Sequence, residues 1–336
     1  MMRLVYSPHY DIRFFGLERL HPFDSRKYSR AWKLLRGWFG SRLRGVTMAP
    51  TRPIRREELL AVHTAAYLDR LRQSKYVAGA LELPPVRYLP HRVLDWCILR
   101  PMRWATMGTI VAAAEAMEHG LAVNLSGGYH HAKPDGGEGF CIYSDIGLAI
   151  DRLRRDGRLQ EDDRVAYIDL DAHQGNGVCH VFRTDNRVFI FDMYNREIYP
   201  GYDGEARDRI DCNLPLAANC HETDYLRTLK SRLPGFLDSL VGSGKVGLGI
   251  FNAGTDVYQG DPLGGLNLSA AGVLERDLFV IEQLRSREIP TVMLPSGGYT
   301  RMSYRLIAAS VGRLLELSLF QQDFCKDWPC QGSNLL

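Results

Sequence analysis

The stretch Val165-Ala-Tyr-Ile-Asp-Leu-Asp-Ala-His-Gln-Gly-Asn-Gly177 decides how this chain of 336 residues is interpreted. Its first four residues are apolar or aromatic, which predicts a buried strand. Asp169, Asp171 and His173 follow at once, and side chains two apart on an extended backbone point the same way. A capped turn with a surface histidine is the alternative, but it leaves too many polar groups unpaired at a strand end. The stretch therefore predicts a cation site with oxygen and nitrogen ligands.

The composition is typical of a globular protein that dissolves in water. Hydrophobic residues make up 45% and charged residues 24% of the chain, and no apolar run approaches the roughly 20 residues that span a bilayer. The first residues resemble neither a signal peptide nor a transit peptide. The seven cysteines are scattered without a Cys-x-x-Cys pair, which favours reduced thiols. We therefore expect a cytoplasmic protein without a membrane span, present in the nucleus as well if its source is eukaryotic.

The charge distribution argues against direct nucleic-acid binding, because the net charge is only +3. One segment departs from this balance, since residues 25–56 hold ten Lys or Arg and no Asp or Glu. A solvated basic surface explains this segment more simply than a docking patch for an acidic partner. Both interpretations stay open at this point.

Strand-like and helix-like segments alternate along the chain. Strands are predicted at residues 3–6, 121–125, 164–170, 188–191, 245–251 and 290–294. A helix capped by Asp24 or Ser25 is predicted through Tyr28, Trp32 and Leu35. Further helices are predicted at residues 55–72, 91–119, 145–155, 223–240, 269–283 and 301–318, with an interruption near Pro101 and a break at Pro234. The alternation predicts an α/β fold with one mostly parallel central sheet and helices on both faces. We expect a single domain over residues 1–319 and a loosely attached extension over residues 320–336.

Four of the predicted strands end in residues that can bind metal or move protons. His130 and His131 follow the strand at 121–125, and the acidic stretch quoted above follows the strand at 164–170. Asp256 and Tyr299 follow the strands at 245–251 and 290–294. The carboxyl ends of parallel strands meet at one edge of a sheet, so we expect these side chains to converge there.

The residue types in this set are those of a metal-dependent hydrolase. Asp171, His173 and Asp256 supply two oxygens and one nitrogen and leave room for water, which is the open coordination of a catalytic zinc site. A bound zinc ion lowers the pKa of water to about 7 and polarises a carbonyl group. The histidine pair titrates near neutrality and suits proton transfer, while the phenol of Tyr299 can stabilise an oxyanion.

Six motifs, in this order, resemble those of the zinc-dependent histone deacetylase family. They are Gly-Gly-Tyr-His-His-Ala at 127–132, Gly-Glu-Gly-Phe-Cys at 137–141, Asp-Leu-Asp-Ala-His-Gln-Gly-Asn-Gly at 169–177, Asn-Ala-Gly-Thr-Asp at 252–256, Gly-Asp-Pro-Leu-Gly-Gly-Leu at 260–266 and Ser-Gly-Gly-Tyr at 296–299. The resemblance runs from about Tyr6 to Leu317 and implies the arginase/deacetylase fold. His21-Pro-Phe-Asp24 and Tyr194-Asn-Arg196 look most similar to the class IV branch.

The resemblance implies a role for each matching catalytic residue. The three predicted ligands would hold zinc, and Tyr299 would donate to the oxyanion. His131 would act first as the general base and then as the general acid. His130 would be its electrostatic partner, oriented by Asp169.

The resemblance also implies a second cation and a substrate channel. A structural potassium ion would be bound by Asp169, by the carbonyl groups of Asp171 and His173, and by Asp192 and Met193. The acyl-lysine channel would be lined by these residues: Gly139, Phe140, Tyr199, Leu263, Gly297 and Gly298.

The sequence departs from the family pattern at Asn176. Many relatives have an acid there that orients the second histidine. We therefore expect His131 to titrate at a lower pH than in an aspartate-paired site. The class IV resemblance includes this asparagine, so it does not indicate an inactive enzyme.

The expected function is the removal of acyl groups from the ε-amine of lysine, by water that a zinc ion activates. The substrate would be an acylated protein or peptide, and the class IV resemblance implies that long fatty acyl chains can be preferred over acetyl.

Three alternatives remain open. A deacylase of acetylpolyamines or other small acylated amines would be favoured by an acidic gate at the channel. A binuclear manganese ureohydrolase would need an acid where this chain has Gly175. A non-catalytic acyl-lysine binder would have no need of His131 or Tyr299.

Overall fold

A computed structural model describes residues 1–13, 16 and 22–319. The strands are β1 (Arg3–Val5), β2 (Thr47–Met48), β3 (Leu121–Asn124), β4 (Arg164–Asp169), β5 (Val188–Asn195), β6 (Cys212–Leu216), β7 (Val246–Asn252) and β8 (Thr291–Leu294). All pair in parallel and form one sheet in the order β2-β1-β3-β8-β7-β4-β5-β6. The predicted α/β class and parallel sheet are confirmed. The edge strands β2 and β6 were not predicted.

Helices connect these strands. They are α1 (Lys27–Phe39), α2 (Arg56–Leu59), α3 (Ala65–Arg70), α4 (Ser74–Ala80), α5 (His91–Leu94), α6 (Arg100–His119), α7 (Asp145–Arg155), α8 (Asn176–Val181), α9 (Gly204–Arg209), α10 (Glu222–Ser243), α11 (Ala270–Arg285) and α12 (Ser303–Leu319). Every residue of β7 is buried, because helices cover both faces of the sheet as in other parallel sheets.

The register of the central strands brings the polar strand ends to one edge. Asp169 at the end of β4 lies beside Asp192 of β5 on one side and beside Asn252 of β7 on the other. Asn252 in turn lies beside Leu294 of β8. The loops that follow β3, β4, β7 and β8 therefore all begin at the carboxyl edge of the sheet, close to one another.

Two helix predictions need correction. The segment 55–72 forms the short helices α2 and α3, because the chain turns between them and Thr64 caps α3 with its side chain. Pro234 does not break α10, which runs over 22 residues. A proline inside a helix removes one hydrogen bond, but this helix also buries a stripe of leucines, which holds it in place.

Some expectations fall outside the described residues. These include the predicted extension at 320–336 and His21 of the motif that looks similar to class IV. The division into a domain and an extension therefore stays a prediction. In the described ranges, no helix is both long enough and apolar enough to cross a membrane.

His63 links a surface loop to the helix that supports the site. The side chain is buried, its Nδ1 donates to Lys133 O at 3.1 Å, and its Nε2 accepts the N–H of Ser144 at 2.9 Å. Ser144 caps α7 through its hydroxyl group. Because an acceptor nitrogen must be unprotonated, His63 is neutral in the fold, and burial lowers its pKa from 6.5 to about 4.

Acid should therefore destabilise the protein through His63. The unfolded chain binds this proton from pH 6.5 downward while the folded chain resists it until about pH 4, so the free energy of unfolding falls as the pH drops through this window. The contribution is about 3 kcal/mol. Urea denaturation at several pH values checks it. The His63→Gln variant should be less stable at neutral pH and show a flatter slope between these values, and an unchanged slope would contradict the assignment.

Candidate active site

The three predicted metal ligands converge from two loops. Asp171 and His173 follow β4, and Asp256 lies in the turn after β7. His173 Nδ1 is 3.1 Å from Asp171 Oδ1 and 3.0 Å from Asp256 Oδ2, and all three side chains are buried. One ligand atom from each lies within 4.8 Å of the others. Among the described residues this is the one such group of three.

The donor set fits a divalent cation. Burial and the charge of Asp171 raise the pKa of Asp256 to about 7, because two carboxylates share a space that excludes water. A cation held between them removes this repulsion, and two oxygens with one imidazole nitrogen are ligands that zinc accepts. Gly297 faces the same space, where a Cβ atom would collide with both carboxylates. Its N–H donates to Asp171 Oδ2 at 2.9 Å.

Arg276 of α11 joins the two loops that carry the ligands. Its Nη1 donates to Leu170 O at 3.0 Å, after β4, and to Gly254 O at 2.7 Å, after β7. Its charge is paired with Asp277, whose Oδ1 lies 2.7 Å from Nη2. Asp277 also accepts the hydroxyl of Ser310 on α12 at 2.6 Å. Arg276 is completely buried, so this network sets the spacing of the two loops.

The histidine pair is held by a buried carboxylate at the start of α7. Asp145 accepts the backbone N–H groups of Gly128 and Tyr129, each at 2.9 Å, and so shapes the loop after β3. His130 Nδ1 lies 2.8 Å from Asp169 Oδ2. Burial opposes protonation of His130, but the charges of Asp169 and Asp171, together with the hydrogen bond to Asp169, outweigh it and raise the pKa to about 9.

His131 has a different environment from its neighbour. Burial, together with the charges of His130 and His173, lowers its pKa well below 6.5. Its Nδ1 lies 2.8 Å from Asn176 Oδ1, the first residue of α8. The amide Nδ2 of Asn176 donates to Glu138 Oε1 at 2.6 Å. His131 therefore has the uncharged hydrogen-bond partner that the sequence predicted, Asn176. The carboxylate of Glu138 contacts the other end of that amide.

Tyr299 also lies next to the metal ligands. Its ring centroid is 6.0 Å from that of His173, and its backbone N–H donates to Asp261 Oδ2 at 2.8 Å. Burial and the nearby carboxylates raise the pKa of Tyr299 well above 10, so the phenol keeps its proton. Lys27 of α1 is buried and donates through Nζ to Ser296 O at 2.6 Å and to Gly298 O at 3.2 Å.

The predicted channel residues surround this centre. Phe140 adopts a φ of 65°, which turns its ring to within 5.9 Å of the Tyr299 ring centroid. The Tyr199 ring lies 5.0 Å from His131, and Tyr199 is 37% exposed at the rim. Leu263 is half-buried next to Asp261, and its N–H donates to that carboxylate at 3.0 Å.

The remaining predicted residues also lie beside the centre. Gly139 packs on the His131 ring, where a Cβ atom would lie 2.5 Å from Cδ2. Asp192 lies in register with Asp169, and Met193 follows it on β5. The structure thus brings all the predicted site residues to one edge of the sheet.

The histone deacetylase domain family matches residues 21–315, which is most of the chain. The chain belongs to this family. Histone deacetylase 2 of Arabidopsis thaliana is 41% identical over 322 residues, which cover 95% of this chain and 80% of that protein. Histone deacetylase 8 of Xenopus laevis is 27% identical over 296 residues, covering 81% of this chain and 85% of that protein.

A solved structure supports the fold independently. The crystal structure of the HDA15 HD domain matches with a TM-score of 0.72, at 18% identity, over 95% of this chain and 88% of that chain. The arginase/deacetylase fold implied by the six motifs is therefore confirmed. Membership in the histone deacetylase family identifies the chain as a hydrolase of the deacetylase type, consistent with lysine deacylation.

Sequence reasoning missed several residues of this deacetylase site. Four charged residues that organise it lie outside the predicted set: Lys27, Glu138, Asp145 and Arg276. Glu138 lay inside a quoted motif, but nothing in the local sequence indicates that it reaches Asn176. The other three lie on helices and would have been found only by asking which charged residues fall on a buried helix face.

Replacing Arg276 should strongly destabilise the protein. Arg276→Met leaves Asp277 as an uncompensated buried charge and two carbonyl groups unpaired, so the free energy of unfolding should fall by about 3–5 kcal/mol. Urea denaturation measures the loss. The control is Arg285→Met on the same helix, which breaks an exposed pair with Glu282 and should change stability by less than about 1 kcal/mol. Equal losses in the two variants would exclude the network described here.

Proposed function

We propose that this protein is a zinc-dependent hydrolase that removes acyl groups from the ε-amine of lysine. One observation carries the proposal, which is the convergence of the three candidate ligands with a neutral histidine and a protonated tyrosine. The His131 and Tyr299 rings each lie 6.0 Å from the ring of the same ligand, His173. A base and a hydrogen-bond donor thus face one reaction space.

Each residue of this chain has a defined task in the proposed reaction. Zinc, when bound, supplies Lewis acidity and makes water a better nucleophile at neutral pH. His131, neutral because of its low pKa, removes a proton from the attacking water through Nε2 and then delivers a proton to the departing amine. Tyr299 donates a hydrogen bond from its hydroxyl group to the amide oxygen as negative charge develops there. His130, with a pKa of about 9, stays positively charged and favours the same charge development.

The acyl group would point into the space between Tyr299 and the histidine pair. That space is about 20 Å³ and is lined by aromatic residues and glycines, among them Phe23, Tyr129 and Phe140. An apolar cavity of about 40 Å³ lies behind it and shares these three aromatic residues. A myristoyl chain needs displacement of lining side chains such as Leu83 and Met102.

A second cation is part of the proposal. Asp169 and Asp192 lie side by side in register, and none of the described residues donates to the buried Asp192 Oδ1. Burial and the charge of Asp169 raise the pKa of Asp192 well above its usual range. A potassium ion held by these carboxylates and by carbonyl groups of Asp171, His173 and Met193 would balance their charge.

The alternatives have less support. Gly175 offers no carboxylate for a second manganese ion, and its N–H donates to Asp192 at 3.0 Å. Glu138 is acidic and lies near the rim, but Lys133 Nζ lies 3.0 Å from its carboxylate, so its charge is compensated and does not form a free gate for polyamines. We further infer the class IV branch from Asn176 and the Tyr194-Asn-Arg196 stretch. A cytoplasmic location, shared with the nucleus in a eukaryote, also remains part of the proposal.

The function is tested with purified, metal-replete protein. We expect about one zinc ion per chain and hydrolysis of an acetyl-lysine peptide, with Tyr299→Phe lowering kcat by about 10²–10³-fold because one oxyanion donor is lost. Metal analysis of the variant controls for loss of zinc. Two manganese ions per chain, or an intact acetyl-lysine peptide together with an intact myristoyl-lysine peptide, would overturn the proposal. Faster turnover of the myristoyl peptide would show that the apolar cavity opens.

The pH profile tests the role of His131. Because its pKa lies well below 6.5, the neutral base persists in mild acid, and the acid limb of kcat/KM should lie below pH 6.5. A carboxylate in direct contact should move this limb upward by about one unit. The variant is Asn176→Asp combined with Glu138→Gln, because two carboxylates would otherwise meet at 2.6 Å. A limb that stays in place would exclude His131 as the titrating base.

A further inference from the structure

Glu138, Asn176 and His131 form a chain of side-chain hydrogen bonds that leads from the channel rim to the reaction space. Glu138 Oε1 accepts from Asn176 Nδ2 at 2.6 Å, and Asn176 Oδ1 lies 2.8 Å from His131 Nδ1. Asn176 and His131 are buried, whereas the Glu138 side chain is 34% exposed. The chain therefore connects a charged group near solvent with a buried imidazole.

The chemistry of these three groups fixes the direction of each bond. An ionised carboxylate only accepts hydrogen bonds, so the amide nitrogen of Asn176 must face Glu138. The amide oxygen then faces His131, and an oxygen only accepts, so His131 must carry its proton on Nδ1. The other ring nitrogen, Nε2, is left with its lone pair. That is the state a general base requires.

We propose that Glu138 is a positioning residue that sets the tautomer of His131 through Asn176. In an aspartate-paired site the carboxylate would contact the histidine directly and would need no third residue. Here the side chain at position 176 is an amide, which could face His131 with either end. Glu138 removes that freedom. The inference rests on the proposed function, in which His131 is the base.

The surroundings hold both ends of the chain. Lys133 Nζ lies 3.0 Å from Glu138 Oε1, and Glu138 exchanges backbone hydrogen bonds with Cys141 at 3.1 and 2.9 Å in a tight turn. Position 176 begins α8, and this helix docks on the histidine loop because Val178 N–H donates to His130 O at 3.0 Å. Neither end can move away without breaking these contacts.

An exchange of the two side chains tests the proposal. Glu138→Gln leaves two amides facing each other and should lower kcat by roughly tenfold with little change in KM, a part of what a positioned base contributes. Asn176→Asp places two carboxylates together and should also lower kcat. The double variant Glu138→Gln with Asn176→Asp restores one carboxylate and one amide, so every hydrogen bond can form again, and kcat should return to within about threefold of the wild type. Additive losses would overturn the proposal.

A second measurement does not depend on any substrate. In zinc-loaded protein labelled with ¹⁵N-histidine, the ring nitrogens of His131 should show a proton on Nδ1 and a lone pair on Nε2 at neutral pH, with signals assigned by comparison with His131→Gln. Glu138→Gln should shift both signals toward a mixture of tautomers, and the double variant should return them. Unchanged signals in Glu138→Gln would overturn the inference even if the enzyme is active, whereas inactivity with the expected shifts would count against the proposed function alone.

The matched control is Glu205→Gln. It removes a carboxylate that pairs with Arg183 at 3.6 Å and is 67% exposed, so neither kcat nor the His131 signals should change. A loss of kcat in this control equal to that of Glu138→Gln would assign the effect to general surface charge and would contradict the positioning role.

Discussion

Two buried carboxylates that repel each other are the constraint around which the site is built. Asp171 and Asp256 have no exposed surface, and one imidazole nitrogen of His173 lies within 3.1 Å of both. Such a pair is stable only where positive charge surrounds it. The fold supplies part of that charge from the buried Lys27, which interacts electrostatically with both carboxylates, and leaves a set of donor atoms that a metal cation can complete.

The buried cations Lys27 and Arg276 also organise the backbone. Arg276 donates to the carbonyl groups of Leu170 and Gly254, in the two loops that carry the metal ligands. Lys27 donates to the carbonyl groups of Ser296 and Gly298, the two residues that flank Gly297. Burial lowers the pKa of Lys27 to about 8, while the nearby carboxylates oppose the shift, so the ammonium group stays charged at neutral pH. The same interactions therefore balance charge and fix the loops, which links stability to the geometry of the site.

The adjacent histidines show how environment divides one residue type into two roles. His130 faces a carboxylate and has a raised pKa, whereas His131 faces an amide and has a lowered pKa. Two titratable groups whose pKa values are driven apart are suited to different tasks, one as a fixed charge and one as a base. Asn176 contributes to this division because it offers an oxygen without a full charge.

The sequence by itself determined the class of fold and the residues that meet at the sheet edge. Apolar runs, helical periodicity and polar strand ends are local signals, and parallel pairing places strand ends together without further information. The edge strand β2 was missed because a strand of two residues is too short to show a periodic pattern. The segment 55–72 was predicted as one helix, although the chain turns between α2 and α3. Only the tertiary structure decided the contacts of Lys27, Glu138 and Arg276. Each is a single charged residue that reaches a backbone or side-chain group 22 to 271 positions away, and no local pattern encodes which distant group a side chain will reach.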